Sequence, residues 1–244
     1  AAIERGNVPS GGTDYAALVA NADVVYFPAE RAASGARSEP SAMLLEALRR
    51  NGAPFAIGWD LLDASQQPLL DELGGKTGPA REDVIRRLEF SGSSRAREHC
   101  RAILREERLL TVQHLALSCP PALLMKLEAR ERLTPEEEKE VPRGFGAPPG
   151  GLEGYTERAS ASAGEPVRSY RAEVAEQQFA ADKIVRHFRA AGMEGKLLVF
   201  LGGKDLVAGQ GVPHYVALKL QVRQLVLDSS GTAAVRPKLL TQRD

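Results

Sequence analysis

The sequence predicts a single three-layer α/β domain with a mostly parallel central sheet flanked by helices. Three observations predict it. Apolar runs of strand length recur along the chain, and amphipathic helical stretches separate them. No apolar run reaches the roughly 18–20 residues that would span a bilayer. At 244 residues the chain can bury a sizeable core without disulfide staples.

The elements follow in order. "ADVVYFP" gives a first buried strand, Val24–Phe27, bounded by Asp23 and Pro28. After the polar loop "AERAASGAR", "SEPSAMLLEALRRNG" is a helix with Ser38 as N-cap, Pro40 in its first turn and Gly52 as its stop. "PFAIGW" is a second short strand, Phe55–Ile57, and "DASQQPLLDELGG" a brief helix ended by Gly74. "REDVIRRLEF" and "SRAREHCRAILREER" are amphipathic helices. "LLTVQHLALS", with Leu110–Leu117 as the strand, is nearly all apolar, as a sheet covered on both faces requires. "PPALLMKLEARERL" is helical, and "TPEEEKEVP" starts a short helix with Thr134 as cap and acids in its first turn.

Residues 143–166 are rich in Gly, Pro, Ala and Ser and read as a long flexible loop within one domain. The helix "VRSYRAEVAEQQFAADKIVRHFRAAG" follows, then a fourth strand, Leu197–Leu201. After a glycine turn come the helical "PHYVALKL" and a last strand, "QLVLDS". Residues 1–21 read as an N-terminal extension, 22–230 as the domain and 231–244 as a tail. Ligands of such folds bind at the carboxyl ends of the strands. Pro28–Arg31, Trp59–Asp60, Ser118–Pro120 and Gly202–Pro213 would then share one rim.

Composition narrows the function classes. Lys plus Arg equals Asp plus Glu, so no net field steers the chain to nucleic acid or an anionic membrane. Arg49-Arg50 and Arg86-Arg87 are scattered pairs without interleaved aromatics, which disfavours nucleic acid further. Cys100 and Cys119 have no metal-ligand spacing and read as two free thiols. No GxSxG, HExxH or Walker spacing occurs. "AAIERGNVPSGG" shows no signal peptide, and the start reads as that of a mature form or a fragment. His114 reads as a core or sheet-face residue, His99 and His187 as surface or boundary residues on helices.

With "VVYFPAE", "AIGWDLLDASQQPLLDEL", "ARERLTPEEEKEVP", "AEQQFAADKIVRHF" and "LLVFLGGKDLVAGQGVP" in this order, the chain resembles the ChaN-like haem-binding uptake proteins of the Tiki superfamily. The last motif is the most specific. The resemblance runs from about Ala22 to Leu227. It implies a Gly-Glu-x-His after the first strand and a Gly-Asn-x-His shortly before Gly-Val-Pro, whose imidazoles and carboxylate would hold haem iron or another metal. Here those motifs read Ala29-Glu30-Arg31-Ala32 and Gly202-Gly203-Lys204-Asp205. The glutamate is kept, and Ala32 and Asp205 stand where the family has histidine. The acid of the family's second strand falls near Trp59 or Asp60.

Candidate ligand-binding residues are therefore Glu30, Asp205, His214, Tyr26 and Tyr215. Gly202, Gly203, Gly209, Gly211 and Pro213 shape the turn. Asp205 reads either as a ligand of a hard cation or as a cap of the turn, and no catalytic or metal-ligand set is assigned. The resulting expectation is a non-catalytic binding or structural subunit acting through protein–protein contacts, with no cofactor. The alternatives are a haem or tetrapyrrole binder with substituted ligands, and a metal-dependent hydrolase. Other protein subunits are the expected partners, with peripheral membrane association only through them. The resemblance also implies a plastid as compartment.

Overall fold

The computed structural model describes residues 14–29, 40–129, 131–142, 170–202, 211–228 and 236–240. Its strands are β1 (Val24–Pro28), β2 (Phe55–Asp63), β3 (Gln113–Ser118), β4 (Lys196–Leu201), β5 (Gln224–Asp228) and β6 (Arg236–Leu240). They form one sheet in the order β3-β2-β4-β1-β5-β6. The first five are mutually parallel, and β6 runs antiparallel to β5. The predicted α/β class is what the chain adopts.

The described helices are α1 (Tyr15–Ala20), α2 (Pro40–Asn51), α3 (Gln67–Glu72), α4 (Gly78–Arg87) and α5 (Ser94–Leu104). They continue with α6 (Pro121–Ala129), α7 (Pro135–Glu140), α8 (Tyr170–Ala190) and α9 (Gly211–Ala217). Two-residue periodicity in the central strands decides which side chain meets which layer. Val25, Phe27, Leu198 and Phe200 point to a core shared with α1 to α5. Val24, Tyr26, Leu197, Val199 and Leu201 point to one shared with α8 and α9. The strands are apolar on both faces because both faces are covered. A smaller cluster joins Cys119, Leu123 and Leu124 to Ala172 and Phe179 of α8.

Several boundaries differ from the sequence expectation. β2 runs on through Trp59-Asp60-Leu61-Leu62-Asp63 rather than ending at Ile57. β3 begins at Gln113, because Glu107–Leu109 closes as a 3-10 turn and takes Leu110 with it. Inside the stretch read as an N-terminal extension, α1 packs on α2 and buries Tyr15 and Val19. Within the expected tail, Arg236–Leu240 pairs as β6. Thr134 caps α7 as expected, in a reciprocal capping box with Glu137.

Connectivity sets the place for a ligand. Chain leaving β1 crosses to β2 on one side, and chain leaving β4 crosses beyond β1 to β5 on the other. β1 and β4 are hydrogen-bonded neighbours, with Phe27 beside Phe200 and Pro28 beside Leu201. Neighbouring strands whose connections part in opposite directions make a topological switch point, and a crevice opens at their carboxyl ends.

Candidate functional site at the carboxyl ends of the strands

Asp60 is the acid at this rim. It sits on β2 next to the β4 end, and its Oδ2 accepts the backbone N–H of Gly202 at 3.1 Å. From β3, the Ser118 hydroxyl donates to the Asp60 carbonyl and lies 3.3 Å from Oδ1. One half-buried carboxylate thus ties three strand ends together. Sequence reading placed an acid near Trp59 or Asp60; it gave no sign of this role, because the partners lie 58 and 142 residues away.

Beneath the rim lies an aromatic stack. The Trp59 indole lies face to face with Phe200 at 5.0 Å, and Phe27 meets Phe200 edge-on at 5.8 Å. The Trp59 N–H donates to Nδ1 of His114 at 3.2 Å. His99, expected at the surface or its boundary, is buried on α5 with its ring 6.0 Å from Phe200. Burial holds the His99 imidazole down to about 4. Burial first, and then the Arg81 charge, hold His114 down to about 3. Both rings are neutral at ordinary pH, and both belong to the core.

The other candidates fall into two groups. Tyr26 has no solvent-exposed surface, and its hydroxyl donates to Gln224 Oε1 at 2.6 Å. Gln224 Nε2 in turn donates to the Pro213 carbonyl at 3.1 Å, so Tyr26 locks β1, β5 and α9 together. Tyr215 is likewise fully buried, packed in the layer of α8 and α9. Neither phenol is presented to a crevice. His214 is half-buried on α9, with its ring edge-on to Tyr215 at 5.5 Å, and burial lowers its pKa. Gly211 opens α9 with φ +70°, so the turn does need a glycine there. Pro213 stands in the first turn of that helix. Gly202 is at the rim, while Glu30, Gly203, Asp205 and Gly209 lie outside the described residues. Ala29 and Gly202, which precede those segments, stand at the ends of adjacent strands.

Cys119 and Cys100 are free, as expected, both are buried, and burial pushes each thiol up to about 12. Neither is a nucleophile in that state. An open crevice of about 410 Å³ lies toward the β3 edge, lined by Ser65, Gln67, Asp71, Pro120 and the ion pair Lys183–Glu140. Among the described residues no group of three or more His, Cys, Asp and Glu is arranged to hold a metal ion. No described helix is long and apolar enough to cross a membrane.

No protein-family model and no curated protein sequence matches the chain. Among solved structures it is similar to ChaN of Campylobacter jejuni, for which cofacial haem binding is described. The TM-score is 0.60 at 14% identity, over 94% of this chain and 91% of that one. At that identity the likeness speaks to architecture, and on that footing the chain has a ChaN-like fold.

Proposed function

We propose that the chain is a non-catalytic binding subunit on a ChaN-like scaffold, acting through protein–protein contacts. The observation that supports this most is the use made of Asp60. Its carboxylate is spent on Gly202 and Ser118, holding strand ends together, where a catalytic carboxylate would have to face a substrate or a bound water. The sequence points the same way, since Ala32 and Asp205 replace the imidazoles that the ChaN-like motifs would supply. The acids left in those two motifs are Glu30 and Asp205. Two oxygen ligands without imidazole or thiolate make a poor site for zinc or iron.

The test is affinity purification with cross-linking from the native source, beside elemental analysis of the purified chain. Stoichiometric partner proteins and no stoichiometric transition metal are expected. About one equivalent of zinc or iron per chain overturns the reading. Asp205→Asn is expected to leave the melt and partner binding nearly unchanged; loss of a ligand or an activity with the melt unmoved means that the turn is a working site.

The likeness to a haem-binding structure favours a second reading, a haem or tetrapyrrole binder. Of the candidate ligands among the described residues, His214 suits an axial ligand, because Tyr26 and Tyr215 are walled in. Bound there, haem would supply iron chemistry, and the His214 imidazole would be the residue that holds it. A stoichiometric Soret shift on haemin titration, abolished by His214→Ala, selects this reading over the first.

A further inference from the structure

Below the aromatic stack, on the side of the sheet covered by α2 to α5, the buried nitrogens without a hydrogen-bond partner among the described residues include Nη2 of Arg81 on α4 and Nε2 of His114 near the start of β3. Both residues are 4% exposed. The remaining Arg81 donors are committed to carbonyls. Nε donates to Leu104 O at 2.7 Å, and Nη1 to Leu73 O at 3.0 Å and Lys76 O at 3.4 Å. None of these described partners is a carboxylate. The guanidinium is charged at any ordinary pH, so a positive charge is buried with backbone carbonyls as its partners among the described residues.

His114 carries a second buried donor. Because Trp59 donates to Nδ1, the proton of the neutral ring is on Nε2. Helix α3 ties β3 and α4 to each other. Gln67 on α3 binds β3 at the His114 carbonyl and the Ala116 N–H, and Leu73, just past the end of α3, accepts from Arg81. The influence of the Arg81 charge on the His114 imidazole fits that proximity. Two buried donors and a buried charge thus lack both an acceptor and a counter-charge, which is costly on each count.

We propose that Arg81 and His114 hold a small monatomic anion of the chloride class, buried between α4 and β3. A water molecule could accept both hydrogen bonds. It would leave the charge uncompensated. A halide accepts both donors and supplies the missing charge.

The test uses the intact chain. Thermal melts in sodium chloride are compared with melts in sodium gluconate at equal ionic strength. Chloride is expected to raise Tm saturably, by about 2–4 °C once it is roughly fivefold above its dissociation constant. Crystals grown in bromide are expected to show an anomalous peak within hydrogen-bonding distance of both nitrogens. Arg81→Met should abolish the chloride dependence. Since that variant also loses three carbonyl contacts and risks unfolding, His114→Phe provides the second arm, shifting the dependence to higher chloride. Equal melts in the two salts overturn the proposal, and so does a site without a bromide peak, whether a water or nothing is found there.

Discussion

Asp60 Oδ2 and the backbone N–H of Gly202 are 3.1 Å apart, joining residues 142 positions distant at the carboxyl ends of β2 and β4. Since the Ser118 hydroxyl also meets Asp60, this carboxylate is the knot of the rim. Asp60→Ala leaves the half-buried Gly202 N–H without its acceptor and removes the second acceptor beside the Ser118 hydroxyl, which keeps the Asp60 carbonyl. It is expected to cost about 1–3 kcal/mol, read as a lowered denaturation midpoint. Asp60→Asn keeps an acceptor oxygen for one of the two and should fall between. An unmoved midpoint for Asp60→Ala means the carboxylate has a task other than tying strands.

Gly211 begins α9 at φ +70°, a region that β-branched residues avoid. Gly211→Val is therefore expected to cost about 1–3 kcal/mol, and Gly211→Ala less. Differential scanning calorimetry of the two variants decides it. Equal melting temperatures for wild type and Gly211→Val would show that the turn readjusts without strain.

What was legible in the sequence was what is local. The apolar runs of β1 and β4 announce buried parallel strands, Thr134 with Glu137 announces a capping box, and Gly-Val-Pro announces a turn that needs a glycine. Residue types alone mislead where long-range packing decides. Tyr26 looks like a ligand next to a rim, yet Gln224, 198 residues on, takes its hydroxyl. His99 looks like a charged-helix residue, yet its face of α5 meets Phe200. The β2 strand reads as ending at Ile57, and pairing with β3 carries it on to Asp63.

The β3 edge is closed by one side chain. Gln67 Nε2 donates to the His114 carbonyl at 2.9 Å, and Gln67 Oε1 accepts from the Ala116 N–H at 2.8 Å, as a neighbouring strand would. Open strand edges invite pairing with other chains. Gln67→Ala should lower stability by about 1–2 kcal/mol and produce concentration-dependent association. Light scattering across a protein dilution series checks the second effect. A variant that stays as disperse as wild type at every concentration shows that the edge is guarded by other means.

The buried imidazoles make stability depend on pH in a defined direction. His114 is held down to about 3 and His99 to about 4, each mainly by burial, against an unfolded value near 6.5. Between those limits the unfolded chain binds more protons than the folded one, so stability falls as pH falls. The contribution of the neutral rings is complete above about pH 6.5 and is lost progressively below it, at up to about 1.4 kcal/mol per pH unit for each ring. Denaturant midpoints measured from pH 7.5 to pH 5 should therefore drop steadily. His114→Gln, which has nothing to titrate there, should be less stable at pH 7.5 because its fit to Trp59 is poorer. Its midpoint should nevertheless decline less steeply with acid than that of the wild type. Parallel slopes for the two proteins would mean that His114 is charged in the folded state, and would contradict its sealed position against Trp59.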